Sequence, residues 1–135
     1  MNKVLEDLQY TESHEWLGVD SEYTDHAADE AVYTLGITDY AQQNLGDVVF
    51  VELPEVGVTE EKAKEIAVVE SVKSASDIYI PVSGTIVAVN QALLDQPEMI
   101  NKEPYGAGWI VKIKAKIADV SGLLDAEHYT RLVNA

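Results

Sequence analysis

Short apolar runs separated by glycine and proline constrain this chain more than any other feature of its sequence. The runs are rich in β-branched and aromatic residues, which favour strands. The gaps between them are too short for crossover helices, which argues against parallel βαβ folds. The pattern predicts an all-β sandwich or barrel with peripheral helices. The predicted strands cover residues 32–35, 47–53, 65–69, 77–80, 84–89 and 108–114.

The last of these runs alternates apolar and charged residues. On a strand, its two lysines, Lys112 and Lys114, would lie on the face opposite the apolar residues. This alternation is typical of a strand with one buried face. The apolar face is predicted to consist of Trp109, Val111 and Ile113.

Two helices are predicted outside the strand runs. Thr38 can cap a helix that ends at Gly46, and Asp125 can cap a second helix over residues 126–133. The second helix carries an apolar stripe that should pack on the strands. Residues 19–30 are polar and acidic, which favours a long hairpin loop at the surface. The stripe consists of Tyr129, Leu132 and Val133.

The length of 135 residues and the hydrophobic content of 47% are typical of one soluble globular domain over residues 1–135. No apolar run approaches the roughly 20 residues of a membrane-spanning helix. The N-terminus carries Glu6 and Asp7 and shows no signal or transit peptide, so a cytoplasmic location is expected. A eukaryotic source with its transit peptide removed would place the protein in the mitochondrial matrix.

The charge is strongly negative, with 24 acidic residues, 9 basic residues and a formal net charge of −15. Such a field repels nucleic acid and anionic membranes, so neither is expected as a partner. It would steer the protein toward electropositive partners, although the acids could equally serve solubility alone.

Catalytic motifs are missing from the sequence. There is no P-loop, no G-x-S-x-G, no G-x-G-x-x-G and no H-E-x-x-H, so we expect no enzyme activity. A loop with the single imidazole of His26 is a poor metal site, and none is predicted. On a strand the neighbours His14 and Glu15 would face opposite sides, which favours a cap or local hydrogen bond over an acid–base pair. The chain has no cysteine, so any sulfur redox chemistry must come from a cofactor.

Lys73 lies between two apolar strand runs, in a short polar connection that predicts a hairpin tip. A lysine in a turn is most often a solvated charge. A Schiff-base lysine needs an apolar or cationic environment, whereas Glu70 and Asp77 lie close in sequence. Lys73 is therefore a better candidate for enzymatic acylation, which lengthens the side chain and removes its charge.

Seven segments, in this order and spacing, make the sequence resemble the glycine cleavage H-protein family over nearly its whole length. Any one of them alone would be weak evidence. They are YTESHEW (10–16), GITDYAQ (36–42), LGDVVFVELPEVG (45–57), VESVK (69–73), PVSG (81–84), VN (89–90) and NKEPYGAGW (101–109).

The resemblance implies a single lipoyl-carrier domain with an N-terminal extension, a lipoyl-type β-barrel/sandwich hybrid and a C-terminal helical tail. It implies lipoic acid joined covalently to Lys73. Glycine decarboxylase (P protein) would load an aminomethyl group on the lipoyl sulfur. A tetrahydrofolate-dependent aminomethyltransferase (T protein) would take the one-carbon unit, and dihydrolipoamide dehydrogenase (L protein) would reoxidise the dithiol. A lipoate-attaching enzyme is a further partner.

The resemblance also suggests residues for two surfaces. Glu70, Ser71 and Val72 form the attachment motif read by the attaching enzyme. A cleft would receive the loaded lipoyl arm and protect its amine, although capping and turn bonding explain its residues equally well. The cleft candidates are Ser13, Glu15, Asp77 and Asn44.

Three other interpretations compete with glycine cleavage. An H-like lipoyl carrier in lipoate transfer shares Lys73 and differs only in its partners. Biotin carriers set the modified lysine between methionines, whereas Val72 and Ser74 are the neighbours here. A free-standing enzyme lacks an acid–base or metal constellation.

The sequence departs from the family pattern at three places. Ala63 replaces a usual hairpin glycine, so the turn opposite Lys73 could change its geometry. Asn44 stands where some members carry histidine in the region that holds the arm. The acidic stretch at residues 20–30 is longer than usual.

Overall fold

A computed structural model describes residues 3–134, which form nine strands and five short helices. The strands are β1 (Gln9–Tyr10), β2 (Glu15–Val19), β3 (Glu30–Ile37), β4 (Val48–Glu52), β5 (Thr59–Glu60), β6 (Glu65–Ser71), β7 (Ala75–Tyr79), β8 (Gly84–Val89) and β9 (Val111–Lys116). The helices are α1 (Asp39–Leu45), α2 (Ala92–Asp95), α3 (Met99–Lys102), α4 (Ile117–Ser121) and α5 (Ala126–Val133).

The strands form two antiparallel sheets that share one core. One sheet has the order β1-β2-β3-β9-β8-β5, and the other has the order β4-β6-β7. Both sheets bury apolar side chains in the same cluster, where each full burial contributes roughly 1.5–3 kcal/mol. The predicted β-rich class with peripheral helices is confirmed, as an open two-sheet sandwich. Among the buried core residues are Leu35, Val51, Val69, Ile86 and Ile113.

Each predicted strand is present, with the predicted bounds for β8 and shifted ends for the other five. β7 begins at Ala75, two residues before the predicted start. In β9, Val111 and Ile113 are buried while Lys112 and Lys114 are partly exposed, as predicted. Trp109 was wrongly placed on this face. It precedes β9 in a turn closed by its N–H to the Gly106 carbonyl at 3.1 Å, and it packs against a second aromatic cluster.

Both predicted helices are present with their caps. Thr38 accepts a hydrogen bond from Ala41 N–H at 3.2 Å, and Asp125 accepts one from His128 N–H at 2.9 Å. The stripe on α5 was wrong at Leu132, which is 40% exposed, because α5 turns Tyr129 rather than Leu132 toward the sheet. Helices α2, α3 and α4 span four or five residues each and were missed. Within residues 3–134, no helix has the length and apolar character required to span a bilayer.

The C-terminal helix packs on the larger sheet through two stacked tyrosines. The rings of Tyr10 and Tyr129 lie 4.4 Å apart at an interplanar angle of 7°, and both residues are fully buried. Tyr10 also pairs with Leu124 through two backbone hydrogen bonds. The expected packing of this tail on the strands is confirmed.

The acidic loop between β2 and β3 lies at the surface, as predicted, but it is anchored. The Lys112 ammonium forms an ion pair with Asp20 at 2.5 Å. The same ammonium lies 5.2 Å from the ring centre of Tyr23 and 5.0 Å from that of Trp109. Lys112 of β9 therefore contacts the loop at two residues, Asp20 at its start and Tyr23 further along.

Ala63→Gly should stabilise the fold, since Ala63 has a φ of +73°, in the left-handed region. Glycine adopts this conformation without steric cost, and the gain should exceed the entropy that glycine adds to the unfolded chain. We expect the free energy of unfolding to rise by about 1 kcal/mol in denaturant titrations.

Ala118→Gly in α4 is the matched control, because Ala118 is exposed and lies in ordinary helical geometry. It should lose about 0.5–1 kcal/mol. Equal losses in both variants would show that residue 63 does not occupy the left-handed region in solution.

Candidate functional site

Lys73 lies at the tip of the hairpin formed by β6 and β7, as the sequence predicted. The strands pair antiparallel, with Glu70 opposite Ala75. Ser71 organises the turn, because its Oγ donates to the Ser74 carbonyl at 3.1 Å and accepts from Lys73 N–H at 3.3 Å. A second bond joins Ser71 N–H to the same carbonyl at 2.7 Å. The backbone of the tip is thus fixed while the Lys73 side chain is exposed.

The three residues of the expected attachment motif point in different directions. Ser71 is buried and is used by the turn. Val72 is 71% exposed, and its N–H donates to the Asp47 carbonyl at 3.0 Å. Glu70 is partly buried and lies opposite Phe50 of β4. Val72 is therefore exposed at the tip and Glu70 is partly exposed on β6, whereas the Ser71 side chain is buried in the turn.

A groove of about 280 Å³ begins beside the tip and runs between β7 and α1. Apolar side chains from both sides of the groove and from the end of β3 form part of its lining. Three of the cleft candidates, Ser13, Asn44 and Asp77, line this one groove. Its apolar lining residues include Ile37, Ala41, Leu45 and Ile78.

The stem of Lys73 lies close to the end of α1. A Cβ built on Gly46 would lie 3.4 Å from Lys73 Cε. Gly46 ends the helix with a φ of +83°, a conformation that favours glycine. A group attached to Nζ would therefore start next to the groove.

Glu15, the fourth cleft candidate, lines a neighbouring cavity instead. This cavity measures about 700 Å³ and shares Ser13 with the smaller groove. Glu15 is buried, and its Oε1 accepts hydrogen bonds from Thr11 Oγ1 and Ser13 Oγ, both at 2.6 Å. Its Oε2 accepts a longer bond from Tyr79 N–H at 3.4 Å. Glu15 thus joins the N-terminal segment to β7.

Burial raises the pKa of Glu15 above its ordinary value, and the hydrogen bonds from Ser13 and Thr11 act in the opposite direction. The charge of the Glu15 carboxyl group therefore depends on the balance between its burial and the polar groups around it. A cation brought near it would favour the ionised form.

His14 lies on the groove wall, a position that the sequence did not predict. Its φ is +71°, and its Nδ1 is hydrogen-bonded to the Tyr129 hydroxyl at 2.8 Å. That hydroxyl also bonds Thr38 Oγ1 at 2.7 Å. Burial lowers the pKa of His14. The expected local bonds are present, because His14 N–H donates to the Thr11 carbonyl at 3.1 Å and Glu15 accepts from Thr11 and Ser13. The bond from the imidazole to Tyr129 was missed, since that partner lies 115 residues away and no sequence pattern reports such a contact.

The site has the features of a carrier. Among residues 3–134, no group of three His, Cys, Asp or Glu side chains could hold a metal ion. An alkyl chain ending in a five-membered disulfide ring is apolar, and the apolar lining of the groove suits it, while the polar side chains suit an amine or amide. An exposed lysine on a fixed hairpin tip beside such a groove, on a two-sheet β fold, defines a carrier protein of the lipoyl type.

Comparisons with known proteins agree with this class. Residues 8–135 match the family described as Glycine cleavage H-protein. Proteins named Glycine cleavage system H protein from Cronobacter sakazakii and Escherichia coli are 54% and 52% identical over 134 residues, covering 98% of each chain. The crystal structure of a glycine cleavage system H protein from Mycobacterium marinum is similar, with a TM-score of 0.83 and 39% identity over 98% of this chain and all of that one. The chain belongs to the glycine cleavage H-protein family.

Glu15→Gln should change how stability depends on pH. Because the folded-state pKa of Glu15 lies above the ordinary value of 4.5, ionisation of this group opposes folding. That cost is absent below the ordinary value and grows as the pH rises through the folded-state pKa. The free energy of unfolding of the variant, minus that of the parent, should therefore become more positive as the pH is raised above this ordinary value.

Glu12→Gln is the control, because Glu12 is an exposed carboxylate in the same segment. Burial cannot act on an exposed side chain, so the difference between Glu15→Gln and the parent should vary with pH more than the difference for this control. Equal behaviour of the two variants would mean that burial does not disfavour the Glu15 charge.

Proposed function

We propose that this chain carries a lipoyl group as an amide on Lys73 and serves as the carrier of glycine cleavage. It would move the aminomethyl group of glycine from glycine decarboxylase to the tetrahydrofolate-dependent aminomethyltransferase, and the dithiol to dihydrolipoamide dehydrogenase. The observation that carries the proposal is the exposed Lys73, on a fixed tip next to the groove, in a member of the H-protein family.

The bound group would supply the sulfur chemistry, a disulfide that is reduced as it accepts the one-carbon unit and later reoxidised. The chain itself has no cysteine, so it offers no competing thiol. Its own contribution is placement and protection. In our proposal the whole chain acts as one carrier domain, which the core shared by both sheets supports.

Each residue of the site then has a task. The Ser71 hydroxyl fixes the turn, so that Lys73 starts from a constant position. Asp77 and Asn44 line the groove and offer oxygen acceptors to a protonated amine. Glu15, from the adjoining cavity, is a further acceptor that becomes charged most readily when a cation lies near it. Asn44 keeps the groove polar without adding a titrating imidazole.

The negative charge supports partners with electropositive surfaces, which include the three enzymes of the cycle and the attaching enzyme in this proposal. We also propose a cytoplasmic location, which the bacterial origin of the relatives compared above supports. The reactions themselves belong to the partner enzymes, so the chain acts as their shared substrate.

Protein from a host that makes lipoate should carry one lipoyl adduct, on the peptide that contains Lys73. The intact mass gives the number of adducts, and fragmentation of the peptides gives the site. Lys62 and Lys64 are the internal controls, because both are exposed lysines at the far end of β6. An adduct on either of them, with Lys73 unmodified, would overturn the assignment.

Lys73→Arg should abolish carrier function and leave stability unchanged. Arginine keeps the charge at an exposed position, and such changes usually alter stability by less than about 0.5 kcal/mol. The guanidinium stays protonated and cannot form the lipoyl amide. Because no cysteine can replace the missing sulfur, decarboxylation in a reconstituted glycine cleavage assay should be absent rather than reduced.

Lys62→Arg is the matched control and should retain full turnover. Turnover by Lys73→Arg would contradict the proposal. A lipoylated parent that supports no decarboxylation would instead favour an H-like carrier used in lipoate transfer.

A further inference from the structure

Two consecutive apolar residues of β4 face solvent beside the hairpin tip. Val49 is 54% exposed and Phe50 is 49% exposed, although Val48 and Val51 on either side are buried. A regular strand would turn alternate residues to the core. The strand avoids this because its register against β6 shifts between Val48 and Phe50, and such a bulge redirects side chains.

These two side chains are close to the modified lysine. In the register of β4 against β6, Val48 pairs with Ser71 and Phe50 pairs with Glu70. Val49 and Phe50 therefore lie beside the last residues of β6 before the tip. The bond from Val72 N–H to the Asp47 carbonyl holds the tip against the start of β4. Val72 adds a third exposed apolar side chain. We call Val49, Phe50 and Val72 the tip patch.

Acidic residues surround the tip patch. Glu70 lies across from Phe50, Glu52 follows on the same strand, and Asp47 precedes it. Between residues 46 and 53 and between 65 and 79, Lys73 is the only basic residue in the sequence. A protein surface that fits this arrangement has an apolar recess with basic groups around it.

The position of the tip patch indicates which partner covers it. The attaching enzyme must bring the Nζ of an unmodified lysine into its site, and that atom extends only one four-carbon stem from the backbone. Its footprint must therefore include the residues next to Lys73. Enzymes that act on the far end of the lipoyl arm can work at a distance from the tip.

We propose that the tip patch and its acidic rim are the docking surface for the lipoate-attaching enzyme. This inference rests on the proposed lipoylation of Lys73. In the step that it serves, the Lys73 amine forms an amide bond with a lipoyl carboxyl activated as its adenylate, which is made from lipoate and ATP with release of pyrophosphate. AMP leaves with the bonding electrons, and the amine loses a proton.

The test measures how fast the unmodified protein gains the lipoyl mass when incubated with a purified lipoate–protein ligase, lipoate and ATP. Phe50→Thr and Val49→Thr keep a β-favouring residue at exposed positions, so melting temperatures should match the parent. We expect kcat/KM to fall about tenfold for Phe50→Thr, since buried aromatic anchors dominate interfaces, and less for Val49→Thr. Val56→Thr, at a position 57% exposed, is the matched control for Val49→Thr and should behave like the parent.

Charge is tested by Glu52→Gln, with exposed Glu55→Gln as its control. Glu52→Gln should lower kcat/KM at low salt and weaken its salt dependence. Variants are then lipoylated to completion with excess ligase and assayed for glycine decarboxylation, where Phe50→Thr should retain turnover within about twofold of the parent.

The outcomes separate this inference from the proposed function. A parent that gains no lipoyl group at Lys73 would refute the proposed function. A parent modified at Lys73, with Phe50→Thr and Val49→Thr modified at the parental rate, would refute the docking surface alone. A loss of decarboxylation by fully lipoylated Phe50→Thr would assign the tip patch to the decarboxylase instead.

Discussion

The burial of β6 is the constraint on which the rest of the site depends. This strand lies between β4 and β7, and its residues Ile66, Ala67 and Val69 are held in the core that both sheets share. Hydrogen bonds between the Ser71 hydroxyl and the backbone of Ser74 then fix the turn that follows β6. The backbone of Lys73 is therefore fixed while its side chain is exposed, which suits the proposed role, in which an attached group would reach several partners from one origin.

The groove depends on a second set of contacts, which centre on Tyr129. Its wall includes His14, which is held by Tyr129 of the C-terminal helix, and Tyr129 in turn stacks on Tyr10 and bonds Thr38, the cap of α1. The N-terminal segment, the first helix and the last helix therefore meet at one buried hydroxyl. A carrier hairpin alone would supply the lysine, but the terminal segments supply the wall against which an attached group could rest.

The order of residues along the chain predicted the features that depend on interactions between near neighbours in sequence. Apolar runs with a small polar connection were sufficient to place Lys73 at a hairpin tip, and Thr38 and Asp125 were sufficient to start two helices. Contacts between distant segments were not predictable in this way. Trp109 and Leu132 were assigned to the wrong faces because aromatic packing and helix orientation overrode periodicity. The burial of Glu15, the bond between His14 and Tyr129 and the bulge in β4 likewise depend on tertiary partners that no window of sequence contains.

A carrier must hold its cargo weakly enough to release it, and the groove has the properties that this requires. It is small, and Ser13, Asn44 and Asp77 on its wall are exposed to solvent. Hydrogen bonds to such groups replace bonds to water, so each contributes only about 0.5–1.5 kcal/mol. Glu15, in contrast, is buried and already satisfied by three donors, Thr11, Ser13 and Tyr79. An amine bound nearby would have to compete with these donors, so in the proposed function this buried carboxylate would guide the cargo without trapping it.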